Sequence, residues 1–580
     1  MSHANGKVVP AAFPPPVDSP KEFIKNGLDA EDELIEVGVV IVGGGTAGLA
    51  CANRLLQLLA DDPETMERLG EVPVAVVEKA KVCGGQSLSG AVMRPAALEE
   101  LFPELTREDW RKEGYAFGEV TKEAVYMLTG PKSKLPVPIP LVPNFKNHGN
   151  EVVSVSALAR YQQRQAEDAG AYVLTETSAT KLIVDDGKVV GVRSGDKGRG
   201  RDGEPLSNFE PGTDIKAQAT VLAEGCWGSL SGAAIREFDL AEGREPQVWE
   251  LGVKEVWKVK KPLDRVIHTF VQPWPLRVAA KYGQLGGTWL YPMKDEKTGE
   301  DLVSIGFVVD LNYRDATTSA HDLLQTFKTH PLVRGILAGG ERVAWGAKAL
   351  PGGGYWSMPK LSMPGALLVG DAGGMVDTAA LKGVHHCIRS GMLAAEAIYG
   401  NLKTGRSLES YEEAVERSTI GTELYQVRNT RQAFQKCFLI GSLLAGPSIM
   451  SKGKVPPGRQ EWHRDDVEPM FIGNTKKRYP KPDGKYTFDK LSSVFITGNA
   501  TRDDAPNHIR VQKHVPRELA ETWRWMCPAG VYEIPEDAPE HGVVDVIVNY
   551  TNCVQCGAIT AKGGRLTTPE GGDGPLYQIT

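Results

Sequence analysis

"VGVVIVGGGTAGLACANRLLQLL", Val37 to Leu59, decides the fold. Val39, Val40, Ile41 and Val42 form a short apolar, β-branched run, the pattern of a parallel strand buried on both faces. Gly43, Gly45 and Gly48 follow as G-x-G-x-x-G, and Leu49, Ala52, Leu55, Leu56 and Leu59 then recur at helical spacing. The glycines therefore stand on a strand-to-helix turn. There the backbone can approach a pyrophosphate, and the helix N-terminus offers free N–H groups and the positive end of its dipole. A second strand, "VPVAVVEK", ends at Glu78, a carboxylate suited to a ribose hydroxyl pair. The stretch "LADDPETMERLGE" lengthens the crossover beyond the usual ~20 residues.

Two later segments choose the dinucleotide. "KAQATVLAEGCWGSL" carries an apolar strand into Ala223-Glu224-Gly225, the small-residue turn that closes over the nucleotide in many flavoproteins. "PGALLVGDAGGMVDTAALKGVHHCIRSGMLAAEAI" carries another, Ala366 to Val369, into Gly370-Asp371, followed by a helix rich in small residues. This order is similar to that of FAD enzymes of the glutathione-reductase superfamily, in which the Gly-Asp carboxylate lies near the ribityl hydroxyls. Taken alone, Asp371 is equally a helix cap. The three elements together point to FAD. No second G-x-G-x-x-G occurs, so electrons are expected to enter from outside the chain and not from a built-in NAD(P)H domain.

The chain has 580 residues, which implies several domains, and its 41% hydrophobic and 24% charged residues are ordinary globular values. A net charge of −7 and the lack of a dense basic stretch argue against nucleic acid as a partner. Eight scattered cysteines suit a reducing compartment. The N-terminal "MSHANGKVVPAAFPPPVDSP" has neither the basic-then-apolar layout of a secretory signal nor the arginines of a transit peptide. It reads as a helix-free tail. No run reaches the ~20 apolar residues of a membrane-spanning helix.

"LSGAV", "NHGN", "AEGC", "EPQ", "KPDG", "CPAGVYE", "NCVQC" and "PEGGDGP", in this order, resemble the electron-transfer flavoprotein:ubiquinone oxidoreductase family from about Gly38 onward. The resemblance implies one FAD, a [4Fe-4S] cluster, a ubiquinone pocket and reduced electron-transfer flavoprotein as the donor. It places the quinone against Gly286 and Gly287 in "LGGTWLYPM", where glycine lets the main chain meet a quinone carbonyl. A β-bulge or hairpin turn is the alternative reading of that pair. Upstream, "HTFVQPWPL" departs from the family's shorter form.

The resemblance also implies attachment to a membrane surface. "CFLIGSLLAGPSIM", Cys437 to Met450, is uncharged and is flanked by Arg428, Arg431 and Lys436 before, and by Lys452, Lys454 and Arg459 after. Such a segment is too short to span a ~30 Å core and can lie in the interface. A buried core helix is the other reading. The family's contact further includes the segment matching "LSGAVMRPAALEELFPEL". The expected place is the cytoplasmic face of a bacterial inner membrane, or the matrix side of the mitochondrial one.

For the cluster, the resemblance implies four cysteines, and three are found: Cys527, Cys553 and Cys556. Ile559 stands where the fourth belongs. Four readings stay open: [4Fe-4S] with a non-cysteine fourth ligand, [3Fe-4S], zinc completed by His541, or no metal. His268, His385 and His386 are read as structural.

The expected fold class is α/β (α+β overall). It comprises a glutathione-reductase-like FAD-binding Rossmann domain, an inserted β-rich quinone-binding domain and a C-terminal ferredoxin-like iron–sulfur domain. The expected boundaries are a tail at 1–35 and the FAD domain at 36–120, 150–235 and 345–425. The quinone domain takes 121–149 and 236–344, a membrane-contact segment 426–480, and the iron–sulfur domain 481–580. Rival readings are a nitrogen-fixation-type quinone reductase served by a separate ferredoxin-like subunit, a flavin reductase of isoprenoid chains, and a flavoprotein without a working cluster.

Overall fold

A computed structural model describes residues 7–17, 19–30, 34–270, 286–295, 297–435, 438–473 and 479–580. The strand Leu34–Val42 is buried over its last six residues. It lies parallel between Val74–Val77 and Asp214–Leu222, and the latter also pairs in parallel with Ala366–Leu368. Tyr172–Leu174 extends the parallel set beyond Val74–Val77. On the far side, Lys188–Ser194 and Ala179–Asp185 continue the sheet in antiparallel fashion, and an edge strand, Ile24–Asn26, then pairs in parallel with the latter. That edge strand corrects the N-terminal reading: residues 24–26 pair with Leu182–Val184, and the Phe23 side chain is buried in the same core. Three residues are too few to show a period.

The helices Thr46–Ala60 and Val384–Thr404 pack together beside this sheet. A Cβ on Gly391 would stand 2.2 Å from the Ala47 carbonyl oxygen, so the contact is backbone to backbone.

A second, seven-stranded sheet runs in the order Glu341–Pro351, Trp249–Lys258, Asp301–Asp310, Gly286–Lys294, Val266–Phe270, Glu123–Leu128, Lys134–Val137. All its pairings are antiparallel except that of Val266–Phe270 with Glu123–Leu128. Alternation along the strands divides its two faces. Glu250, Gly252, Trp289, Tyr291, Val308, Lys348 and Leu350 line a cavity shared with the first sheet. Leu251, Val253, Phe307, Val309, Trp345 and Ala347 pack instead with Leu323, Leu324 and Phe327 of the helix Ala320–Lys328. The expected boundary between residues 344 and 345 cuts through the strand Glu341–Pro351, so this sheet extends to Pro351.

The C-terminal region shares that second core: Trp523 of the helix Arg517–Met526, Cys527, Cys553 and Ile559 belong to it. Its strands are two or three residues long, and single side-chain bonds join its turns. Trp523 Nε1, for example, donates to the Lys562 carbonyl at 2.7 Å.

Candidate redox sites

The first site is the cavity between the sheets, of about 330 Å³. Gly43, with φ of +112°, fits because a Cβ there would lie 2.3 Å from the Ala223 carbonyl oxygen. Gly48 is equally constrained, its Cβ falling 2.2 Å from the Gly43 oxygen. Gly45 differs. It caps the helix Thr46–Ala60 without a side-chain bond, and the space beyond its Cα is open. Gly45, Thr46 and Ala47 therefore present bare backbone to the cavity, which is what an anion at a helix N-terminus requires.

Glu78 is buried beside them. One carboxylate oxygen accepts from Gly44 N and the other from Ala80 N, both at 2.7 Å. Both bonds hold the glycine turn, and each oxygen of this cavity-lining carboxylate can accept a further bond. Glu224 also lines the cavity and accepts from Ser231 N and Oγ at 2.6 Å, anchoring the helix Ser229–Glu237. Gly225 follows at φ +76° with open space before it. Gly370 is left-handed too, at φ +60°, and turns the chain so that Asp371 faces the cavity. Burial raises the Asp371 carboxyl, and Cys387 Sγ lies 3.6 Å from its Oδ1. The donor set and the open backbone fit a dinucleotide.

Gly286 and Gly287 begin a regular strand and are neither bulge nor turn. They pair with Val309 and Val308, and Gly287 also with Phe270. Val308 lines the cavity together with Trp289 and Tyr291 of the glycines' own strand, but Gly286 and Gly287 are not among the lining residues. Residues 271–276 of "HTFVQPWPL" lie outside the described residues. Two side chains that sequence reasoning set aside or missed sit on this face. His268 is opposite Trp289, and its Nε2 is 2.8 Å from the Tyr291 hydroxyl. Burial and the Lys382 charge push His268 down to about 3, so it is neutral, and burial raises Tyr291. A cross-strand pair 23 residues apart depends on register, which the sequence does not display.

Cys527, Cys553 and Cys556 meet between the second sheet and the C-terminal turns. Each sulfur receives a backbone N–H: Val531 N to Cys527 Sγ at 3.4 Å, Gln555 N to Cys553 Sγ at 3.3 Å, and Ala558 N to Cys556. Gln555 adopts φ +50°, a strained conformation for a non-glycine residue that keeps this loop wrapped around the sulfurs. Burial pushes the Cys556 thiol up to about 12 and Cys553 higher, so these two thiols stay protonated when free. Ligation to iron would favour the thiolates and suits the inward N–H donors. The three sulfurs do not lie within 4.8 Å of one another, as ligands of one ion would. His541 is exposed. The zinc reading is thereby corrected: these residues do not form a tetrahedral site. Ile559 is buried in the same core.

Among the described residues, the only His/Cys/Asp/Glu group with all ligand atoms within 4.8 Å is His385, His386 and Glu423. Both Nε2 atoms approach Glu423 Oε2, at 3.0 and 2.9 Å, and Arg94 pairs with the same oxygen. Burial raises the Glu423 carboxyl, but these cations and imidazoles outweigh it and hold it well below the usual range. The carboxylate is already neutralised, in keeping with a structural role.

The helix Phe438–Met450 exposes Leu443 (75%) and Met450 (80%), with Leu444 half-exposed. Lys436 and Cys437 lie outside the described residues. Of the flanking cations, Lys452 and Lys454 face solvent, whereas Arg431 turns inward to pair with Glu250 and Asp310, and Arg459 pairs with Glu245. The second expected contact is corrected. In 88–105 the apolar Leu98, Leu101 and Phe102 are buried, and the helix Ala96–Leu101 turns Glu99 and Glu100 outward. The uncharged stretch "LPVPIPLVP", 135–143, is the exposed apolar segment that went unread, with Leu135 and Leu141 largely in solvent. Among the described residues no helix is long and apolar enough to cross a membrane.

These sites and sheets define a class: an oxidoreductase of mixed α/β fold joined to a domain of the 4Fe-4S kind. Two family models agree, "ETF-QO, ubiquinone-binding" over residues 249–350 and "Electron transfer flavoprotein-ubiquinone oxidoreductase, 4Fe-4S" over 484–578. The chain is 36% identical to the mitochondrial electron transfer flavoprotein-ubiquinone oxidoreductase of Caenorhabditis elegans, covering 95% of this chain and 93% of that one. It is 34% identical to the probable enzyme of Acinetobacter baylyi (95% and 99%) and 35% to that of Homo sapiens (97% and 92%). The chain belongs to the electron transfer flavoprotein-ubiquinone oxidoreductase family. In fold it is also similar to a geranylgeranyl bacteriochlorophyll reductase-like protein of Thermoplasma acidophilum (TM-score 0.51, 18% identity, 73% of this chain and 92% of that one).

Proposed function

We propose that this chain oxidises reduced electron-transfer flavoprotein and reduces ubiquinone at a membrane surface, as a monotopic protein. The observation that carries the reading is the sharing of one cavity by the glycine turn and the strand of Gly286 and Gly287, with the three-cysteine loop against its wall. Within it, Gly43, Gly45, Gly48, Glu78, Glu224, Gly225, Gly370 and Asp371 hold FAD. Cys527, Cys553 and Cys556 hold the cluster, and the domain pattern is a flavin domain with an inserted quinone-binding sheet and a ferredoxin-like C-terminal domain. When bound, FAD and the cluster supply the electron-carrying chemistry, and the protein's part is placement and electrostatics.

Quinone reduction takes two protons, and the cavity wall carries a device for delivering one. Tyr291 donates its hydroxyl proton to the quinone oxygen as the electrons arrive. His268 Nε2–H restores it, and the ring is reprotonated at Nδ1, a buried atom with no partner among the described residues. Lys382, brought down to about 8 mainly by burial, is the nearby proton source. The donor protein approaches the cluster loop beside exposed Leu491 and Phe495, since Leu491 lies 3.5 Å from the Cβ position of Gly530. Membrane contact falls to Leu443, Leu444 and Met450, on the cytoplasmic face of a bacterial inner membrane or its mitochondrial matrix counterpart. Anaerobic turnover of reduced electron-transfer flavoprotein with a short-chain ubiquinone tests the reading. Quinol formed in proportion to flavoprotein oxidised supports it, and flavoprotein oxidation only in the presence of oxygen refutes it.

A further inference from the structure

We propose that this chain carries a [3Fe-4S] cluster, with Ile559 filling the corner that a fourth iron and its ligand would occupy. The inference rests on the assignment of Cys527, Cys553 and Cys556 as the ligands. Their loop keeps every feature of a cluster cradle except one. Cys553, Cys556 and Ile559 recur at intervals of three, and the turn Ala558–Lys562 is bounded by left-handed glycines, Gly557 at φ +84° and Gly563 at φ +85°. Ile559 therefore occupies the place in the loop that a third cysteine of the series would take.

The side chain there is fixed. Ile559 is 4% exposed and packs so closely on its neighbours that a Cβ on Gly564 would stand 2.4 Å from its Cγ1 and 2.7 Å from Val511 Cγ1. A hydrocarbon has no lone pair for iron. A water or hydroxide in its place would need two or more polar partners, and Ile559, Val511 and Ala558 offer aliphatic surface. A three-iron cluster removes the difficulty: each iron binds one thiolate and shares the sulfides, and the fourth corner requires no ligand. Its couple takes up and releases one electron without a ligand change, so the one-electron port to the flavin is preserved.

The competing ligand is His508, whose ring nitrogens are both buried and without partners among the described residues. Burial and the charges of Lys79 and Arg510 push it down to about 3, leaving it neutral. Its ring sits edge-on to Tyr550, with centroids 6.4 Å apart. Spectroscopy separates the two ligand sets.

The experiment is EPR and Mössbauer spectroscopy, with iron and flavin counted, on the full-length protein purified anaerobically. A [3Fe-4S] cluster gives a signal in the oxidised protein that disappears on one-electron reduction, with about three irons per flavin. Ferrous iron and thiol, which rebuild a damaged cubane, should leave that signal unchanged. Ile559→Cys should convert it to a cubane, silent when oxidised and paramagnetic when reduced, and Ile559→Ala should keep the three-iron signal. A wild-type cubane, whether or not His508→Ala abolishes it, overturns the inference. An iron-free flavin spectrum overturns the ligand assignment as well. Quinone turnover by the same preparation reports separately on the proposed function, which a cubane with full activity would leave standing.

Discussion

The glycine turn at 43–48 and the cysteine loop at 553–559 build sites in opposite ways. The turn uses main chain. Gly43 and Gly48 are needed because any side chain would collide with a carbonyl oxygen, and Gly45 because the ligand needs open backbone. The cysteine loop uses one sulfur per position, and Ile559 packs in the core at the position where a further ligand is expected. A site made of backbone fails as a whole, whereas a site made of side chains can change its chemistry one residue at a time.

The largest effect that would test this contrast is Gly48→Val. With a Cβ 2.2 Å from the Gly43 oxygen, the turn cannot close, and flavin content after purification should fall by more than about 100-fold. A flavin-replete variant would break the comparison. Next comes Tyr291→Phe, a side-chain change on the same cavity. Quinone reduction should drop about 100-fold, within the range for a lost general acid, with flavin content and quinone affinity retained. Retained turnover with an unchanged solvent deuterium isotope effect would remove Tyr291 from the proton path.

A smaller effect is expected at the surface. Leu443→Glu should weaken binding to anionic liposomes by roughly 10-fold, in line with the loss of one buried leucine, while activity toward soluble short-chain quinone stays put. Last, and confined to stability, is a pH effect from Lys254. This side chain is fully buried, its Nζ donates to the Ser89 carbonyl at 2.8 Å, and burial lowers it from 10.5 to about 7. The unfolded chain then binds more protons than the folded one between pH 7 and 10.5, so stability contributed here rises with pH over that window. Lys254→Met should remove the rise, with a difference of at most about 1.4 kcal/mol per pH unit in denaturant titrations.

Legibility in the sequence followed the same division. The glycine turn could be read because strand, turn and helix are consecutive, and the Gly370-Asp371 turn because it repeats that layout. The cysteines could be read one by one. What could not be read depends on distant pairing. The strand Val266–Phe270 joins Glu123–Leu128 across more than a hundred residues, and His268 meets Tyr291 only because of that sheet's register. The segment 88–105, expected at the membrane from the resemblance, buries Leu98 and Leu101 in the core. Apolar composition alone does not say which side of the surface a residue occupies. Arg431 misled in the opposite sense: a cation near an apolar segment is bound inward by Glu250 and Asp310.

Several contacts join the cavity to the cysteine loop. Ala349 N, on a cavity-lining residue, donates to the Cys556 carbonyl at 2.8 Å, and Lys348 Nζ to the Gln555 carbonyl at 3.3 Å, while Trp227 touches Gly557 so closely that a Cβ there would be 2.2 Å from its ring. Trp227 in turn packs against Trp249, their ring centroids 3.7 Å apart and the planes tilted by 31°. With the cysteine loop bonded to the cavity wall, electron passage between the proposed flavin and cluster sites is expected to need no domain movement. Internal transfer should therefore be indifferent to solvent viscosity, and glycerol or sucrose should slow only the encounter with the external donor.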